Sequence, residues 1–154
     1  MTAMAVPLGA HPFFVDFPDE VVAAVAELTF PVDFDRGQVL GREGQPAGRF
    51  YALRSGRVAL ELHAADRPPA VIETLQGGDL VGWSWLLAPY RWHFDVVATE
   101  PVAALAVDGA RLRAEMDADP GLGYALTCRF LPVIVDRLQA TRLRLLDLYR
   151  HDRH

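Results

Sequence analysis

The chain has 154 residues, 51% of them hydrophobic, one cysteine and a formal net charge of −5. That length supports one domain with an ample core, lone Cys128 excludes an intrachain disulfide, and no apolar run reaches the about 20 residues a bilayer span needs. All fifteen basic residues are Arg, with neither Lys nor Asn, which removes Schiff-base and P-loop lysine chemistry; the acidic balance argues against non-specific nucleic-acid binding.

Residues 1–10 read as an apolar N-terminal extension, broken by Pro7 and Gly9 and without the Arg-flanked pattern of a secretory signal. A cytoplasmic chain is expected, and the all-Arg usage fits codon bias in a GC-rich bacterial genome. Residues 18–29 place Val21, Val22, Val25 and Leu28 at helical spacing, with Asp19 and Glu20 where the helix dipole favours acids. From residue 30 to about 107 the pattern changes to short runs at 30–34, 38–40, 49–54, 57–63, 71–75, 95–98 and 102–107. Turn signals separate them: Asp35-Arg36-Gly37, Glu43-Gly44, Ser55-Gly56, residues 65–69 and Gly77-Gly78-Asp79. Such spacing predicts an antiparallel sandwich, barrel or roll, with a tight hairpin at Ser55-Gly56. Residues 109–118 predict a short helix, and 120–149 a helical region that Pro132 divides into two helices. In the second, Ile134, Leu138, Thr141, Leu145 and Leu148 follow a 4-3-4-3 spacing. That is a coiled-coil seam about two heptads long, which predicts a homodimer; the competing reading is a helix lying on its own sheet.

The order of elements resembles the cyclic nucleotide-binding domain of the Crp/Fnr and protein-kinase-A regulatory-subunit superfamily. The residues that carry the resemblance are His11-Pro-Phe-Phe, Phe34-Asp-Arg-Gly37-Gln-Val-Leu, Arg42-Glu-Gly44-Gln-Pro-Ala, Phe50-Tyr-Ala-Leu-Arg-Ser-Gly56-Arg-Val and Gly78-Asp79-Leu-Val-Gly82. It covers residues 11–150 as a single domain, with the β-roll at about 30–107 and C-terminal helices at about 109–150. The implied fold is mainly β with flanking α. It is a double-stranded, jelly-roll-like antiparallel β-roll followed by a long dimerisation helix. A transcription factor of this kind would need a further helix-turn-helix domain of about 60–80 residues, so an input domain without its own output domain is expected.

In the resembling family a cyclic phosphate sits at the N-terminus of a short helix, with a Glu on the ribose hydroxyl and an Arg on the phosphate. Here Trp83 falls at the Glu position and Trp92 or His93 at the Arg position, with Arg91 one or two residues out of register and Asp79 too early. Loss of both anchors costs about 1.5–3 kcal/mol each, roughly two to four decades of affinity for cyclic AMP or cyclic GMP. All three tryptophans fall within Gly82–Asp95, together with Tyr90, Arg91, His93 and Phe94. Either the indoles fill the pocket themselves, or they stack a planar or apolar ligand whose polar end meets Arg91 or His93. An aromatic patch for a partner protein overlaps with the first reading. The candidate ligand-binding residues are Gly82, Trp83, Ser84, Trp85, Leu86, Arg91, Trp92 and His93, with Thr141 from the helix that closes the pocket near Leu138–Thr141.

Other signals are weaker. Ser84 lacks the second Gly of a nucleophile elbow, the five His show no metal-binding spacing, and no catalysis is expected. Gly121-Leu-Gly123 follows no strand and has no third Gly after it, which argues against a dinucleotide loop. Residues 129–150 hold five Arg against two Asp, a net of +3, and Arg137, Arg142 and Arg144 are set to pair with acids of the roll or of a second subunit rather than with nucleic acid. The expected function is a regulatory sensor that binds a small ligand in a variant pocket and signals through its last helix to an unidentified effector protein. The alternative is a degenerate β-roll interaction module that binds no nucleotide.

Overall fold

Eight short apolar segments form eight strands: β1 (Thr29–Phe34), β2 (Val39–Gly41), β3 (Arg49–Ser55), β4 (Arg57–Leu62), β5 (Ala70–Gln76), β6 (Leu80–Val81), β7 (Asp95–Ala98) and β8 (Val102–Asp108). Three helices flank them: α1 (Asp19–Ala26), α2 (Gly109–Ala118) and α3 (Pro120–Asp152). This computed structural model describes residues 8–152. The remaining residues of the predicted N-terminal extension lie outside it. Seven strands match the expected runs to within a residue or two. The two-residue β6 is too short to leave a period in the sequence.

Strand pairing is nested about the β4–β5 connection. β4 pairs with β5, β3 with β6, β2 with β7 and β1 with β8, all antiparallel. The long ribbon folds over to give two four-stranded sheets, β1-β8-β3-β6 and β2-β7-β4-β5. This is the jelly-roll-like β-roll. The predicted hairpin at Ser55-Gly56 is corrected here: β3 and β4 belong to different sheets and do not pair. Gly56, at φ +88°, turns a corner between the sheets, and a Cβ there would lie 2.1 Å from the Pro101 carbonyl oxygen. The close approach of two backbones, rather than a hairpin turn, requires the glycine.

Two cores result. Leu53, Val58, Leu60, Leu75, Val81 and Val96 fill the roll. Phe14, Val25, Phe50, Leu112, Leu126 and Phe130 fill the space between roll and helices. β3 and β8 separate them, which is why both read as nearly continuous apolar runs. Phe50 and Ala52 face the helices while Tyr51 and Leu53 face the roll, as period-two alternation requires. Phe130 meets Phe13, Phe50 and Trp85 at ring distances of 4.9–5.2 Å and so docks α3 on the roll.

α3 runs unbroken through Pro132, which corrects the expected pair of helices. The proline forgoes one hydrogen bond, to the Cys128 carbonyl, and the packing of Leu126 and Phe130 on one side and the Arg137–Glu73 ion pair on the other holds the helix on both sides of it. Asp119 accepts hydrogen bonds from the Gly121 and Leu122 amides and starts the helix. The 4-3-4-3 seam is also placed differently. Leu138 and Leu145 are exposed, but Ile134 and Thr141 turn partly inward, and the side chain of Leu148 lies outside the described residues. The exposed stripe comprises Tyr124, Cys128, Leu131, Val135, Leu138, Arg142, Leu145 and Tyr149. It keeps the same spacing for twice the length, along the face opposite Phe130.

One buried polar group sets a pH dependence. His11 lies beside β3 with Nε2 3.0 Å from the Leu53 carbonyl oxygen, and burial pushes its pKa below the ordinary 6.5. The unfolded chain therefore takes up the proton more readily, and stability falls as pH drops below about 6.5. We expect His11→Gln to flatten this slope in denaturant titrations at pH 5 and 7.5. An unchanged slope would refute the assignment.

Candidate functional site

The segment between β6 and β7 forms the mouth of the roll. β6 ends at Val81, and Gly82, with a φ of +102°, redirects the chain. The next residues make a hydrogen-bonded turn, Leu86 N–H to the Trp83 carbonyl at 3.0 Å, rather than a helix. The helix N-terminus that would receive a phosphate in the resembling family is not formed. Asp79 accepts from the Gln76 amide at 2.9 Å within the β5–β6 turn, which commits its carboxylate locally.

The three indoles take three different places. Trp85 is fully buried in the core beneath the helices, stacked on Phe50 at 4.9 Å, with Leu86 packed against the same core. Gly109 makes room for it, since a Cβ there would lie 2.7 Å from the Trp85 side chain. Trp83 is half-buried and stacks on His93 at 4.7 Å, and His93 Nδ1 lies 2.9 Å from the buried Ser84 hydroxyl. Trp92 enters the roll. Its backbone is clamped to the β2–β3 loop, with N–H donating to the Gln45 carbonyl and C=O accepting from the Gly44 amide, both at 2.9 Å. Its ring lies over Gly41, where a Cβ would sit 2.3 Å away, and beside Gly82, where the distance would be 3.1 Å. These two glycines are the socket of the indole.

With Trp92 in place, the cavity inside the roll is only about 10 Å³, lined by Leu60, Leu75, Val81, Trp92, Val96 and Arg137 among others. That is room for about one water. Gly82, Trp83 and Ser84 also reach this cavity, whereas Trp85, Leu86, Arg91 and His93 do not. Arg91 is exposed and donates to the Gly44 carbonyl at 2.8 Å. Thr141 donates to the Arg137 carbonyl of its own helix at 2.8 Å. Closure from α3 comes one residue before the expected Leu138–Thr141, from Arg137, which is buried and ion-paired to Glu73 on β5. The sequence marked Arg137 as pairing with acids of the roll, but not as a pocket residue; its place depends on how α3 crosses the sheet. Arg144 instead pairs with Asp147 of its own helix. Among the described residues no cluster of His, Cys, Asp and Glu is arranged to hold a metal.

Nested antiparallel strands closed by helices, with a cavity of about 10 Å³ at the β6–β7 mouth, define a closed β-roll. The profile of the cyclic nucleotide-binding domain matches residues 31–119, more than half of the chain, and the chain belongs to that family. Acetyltransferase Pat of Mycolicibacterium smegmatis is 36% identical over 98 residues, 64% of this chain and 29% of its own length. The CRP-like cAMP-activated global transcriptional regulator of Mycobacterium tuberculosis is 28% identical over 127 residues, 82% of this chain and 55% of its own length. The chain thus spans about a third and about half of these two relatives. A crystal structure of a Geobacter metallireducens protein assigned to the cyclic nucleotide-binding type superposes with a TM-score of 0.76 at 27% identity, covering 86% of this chain and 98% of that one. No described helix is long and apolar enough to cross a membrane.

Proposed function

We propose that this chain is a regulatory module whose cyclic nucleotide pocket is filled by its own Trp92, and which acts through α3 on a partner protein without nucleotide. The observation that carries this reading is the indole seated over Gly41 and Gly82, which leaves about 10 Å³ where a nucleotide would need several hundred. Three further facts support it. The phosphate-receiving helix turn is absent, Arg91 is turned to Gly44, and Asp79 is used in a turn. The module would have no catalysis of its own, would reside in the cytoplasm and would dimerise through the exposed stripe of α3.

The rival reading, a sensor that admits cyclic AMP, cyclic GMP or another small ligand, draws on the two mycobacterial relatives, one of which is named as cAMP-activated. Fluorescence separates the two, because Trp83 and Trp92 line the cavity inside the roll. We expect no saturable response to either cyclic nucleotide. Saturable quenching abolished by Arg91→Ala would establish the rival.

A further inference from the structure

We propose that the end of α3, from Leu138 to Arg150, docks the partner protein, and that the partner presents an amphipathic helix carrying acids. This rests on the reading of the chain as a module that acts through α3. Leu138, Leu143, Leu145, Leu146 and Tyr149 are each at least half exposed there, and none of them belongs to either core. At about 100° per residue, Leu145 and Leu143 mark the edges of an apolar face about 160° wide, with Tyr149, Leu138 and Leu146 between them. The seam of a two-stranded coiled coil is narrower, so a second copy seated on the stripe leaves Leu143 uncovered and Leu146 at its margin.

Charge selects the occupant. The stripe is uncharged from Tyr124 to Leu138, and Arg142 is the first charged residue in its row. Arg142 is exposed and pairs with no acid among the described residues. Asp147, the only acid in residues 138–150, is engaged by Arg144 at 3.1 Å. A parallel second copy would set Arg142 against Arg142 inside the seam, a like-charge contact that disfavours it at this end. A carboxylate in the same place forms a charge-assisted pair with the guanidinium. Arg150, four residues after Leu146 and seven after Leu143, puts a second exposed cation on the uncovered flank. The second copy therefore takes the uncharged seam, and an acid-bearing helix, whose apolar row matches the leucine spacing, takes the end.

The test uses the full chain and two labelled synthetic amphipathic helices of equal length, one with Glu beside its leucine row and one with Lys, read by fluorescence anisotropy. We expect saturable binding of the Glu helix, at least about tenfold tighter than of the Lys helix, and Arg142→Glu should reverse that order. Leu143→Asp with Leu146→Asp should weaken the Glu helix by at least about a hundredfold. Circular dichroism should stay unchanged, because neither leucine contributes to a core. Cyclic AMP should alter none of these affinities; binding that requires it would support the docking site and refute only the nucleotide-free reading. No saturable binding of the Glu helix, equal affinity for both helices, or binding kept by the double variant would overturn the proposal. So would a dimer that the same double variant dissolves in sedimentation, since the face would then belong to a second copy.

Discussion

Trp92→Ala is expected to destabilise the fold by about 3–5 kcal/mol, the range for removing a large aromatic side chain from a packed core. The indole is buried among Leu40, Tyr51, Leu60 and Val96, and the two glycines that face it have no side chains with which to close the void. Against a typical total of about 5–15 kcal/mol the loss is large, and urea unfolding followed by circular dichroism would measure it. The void should stay apolar and open, so free indole should bind to it and restore part of the loss. A loss below about 1 kcal/mol would show that the ring is not a structural part of the roll, and the self-filled pocket would fall with it. Cyclic AMP rescuing Trp92→Ala as well as indole does would show that Trp92 alone closes an otherwise competent site.

The double substitution Leu131→Asp with Leu138→Asp should turn a dimer into a monomer in sedimentation. Both residues are exposed on α3, on the stripe with Tyr124, Val135, Leu145 and Tyr149, and neither contributes to the two cores. Burying each leucine contributes about 1.5–3 kcal/mol, so two positions in two chains remove about 6–12 kcal/mol, at least about four decades of association. The monomer should keep its fold because Leu126 and Phe130 hold α3 from the other face. Cys128 gives an independent reading. It is exposed on the same stripe, and in a parallel pair the two thiols face each other, so mild oxidation should yield a covalent dimer in the parent chain and none in the variant. A parent chain that sediments as a monomer at high concentration would sink the dimer.

Local pattern was enough for the strands and turns. Val39-Leu40, Phe50–Leu53 and Val58–Leu60 carry the apolar content of strands, and Gly37 and Gly44 sit where the backbone takes a positive φ. Those features depend on neighbours in the chain, and they carried the family resemblance that the profile and the crystal structure bear out. What the sequence could not assign was the fate of each indole. Trp83, Trp85 and Trp92 are chemically alike and lie within ten residues, yet they end beside a histidine, beneath the helices and inside the roll. Their places are decided by room made far away in the chain, at Gly109 for Trp85 and at Gly41 for Trp92.

The same distinction explains the corrections. Glycine at position 56 signals a turn, but only the backbone of Pro101 and Val102 makes it a corner between sheets. A 4-3-4-3 spacing occurs on more than one face of α3, and the docking of Phe130 against Phe50 and Trp85 chooses which stripe faces outward. By itself the sequence determined a β-roll of this family. Only the tertiary structure decided that Trp92 packs inside the roll, because the volume available to a side chain is set by residues that meet it in space.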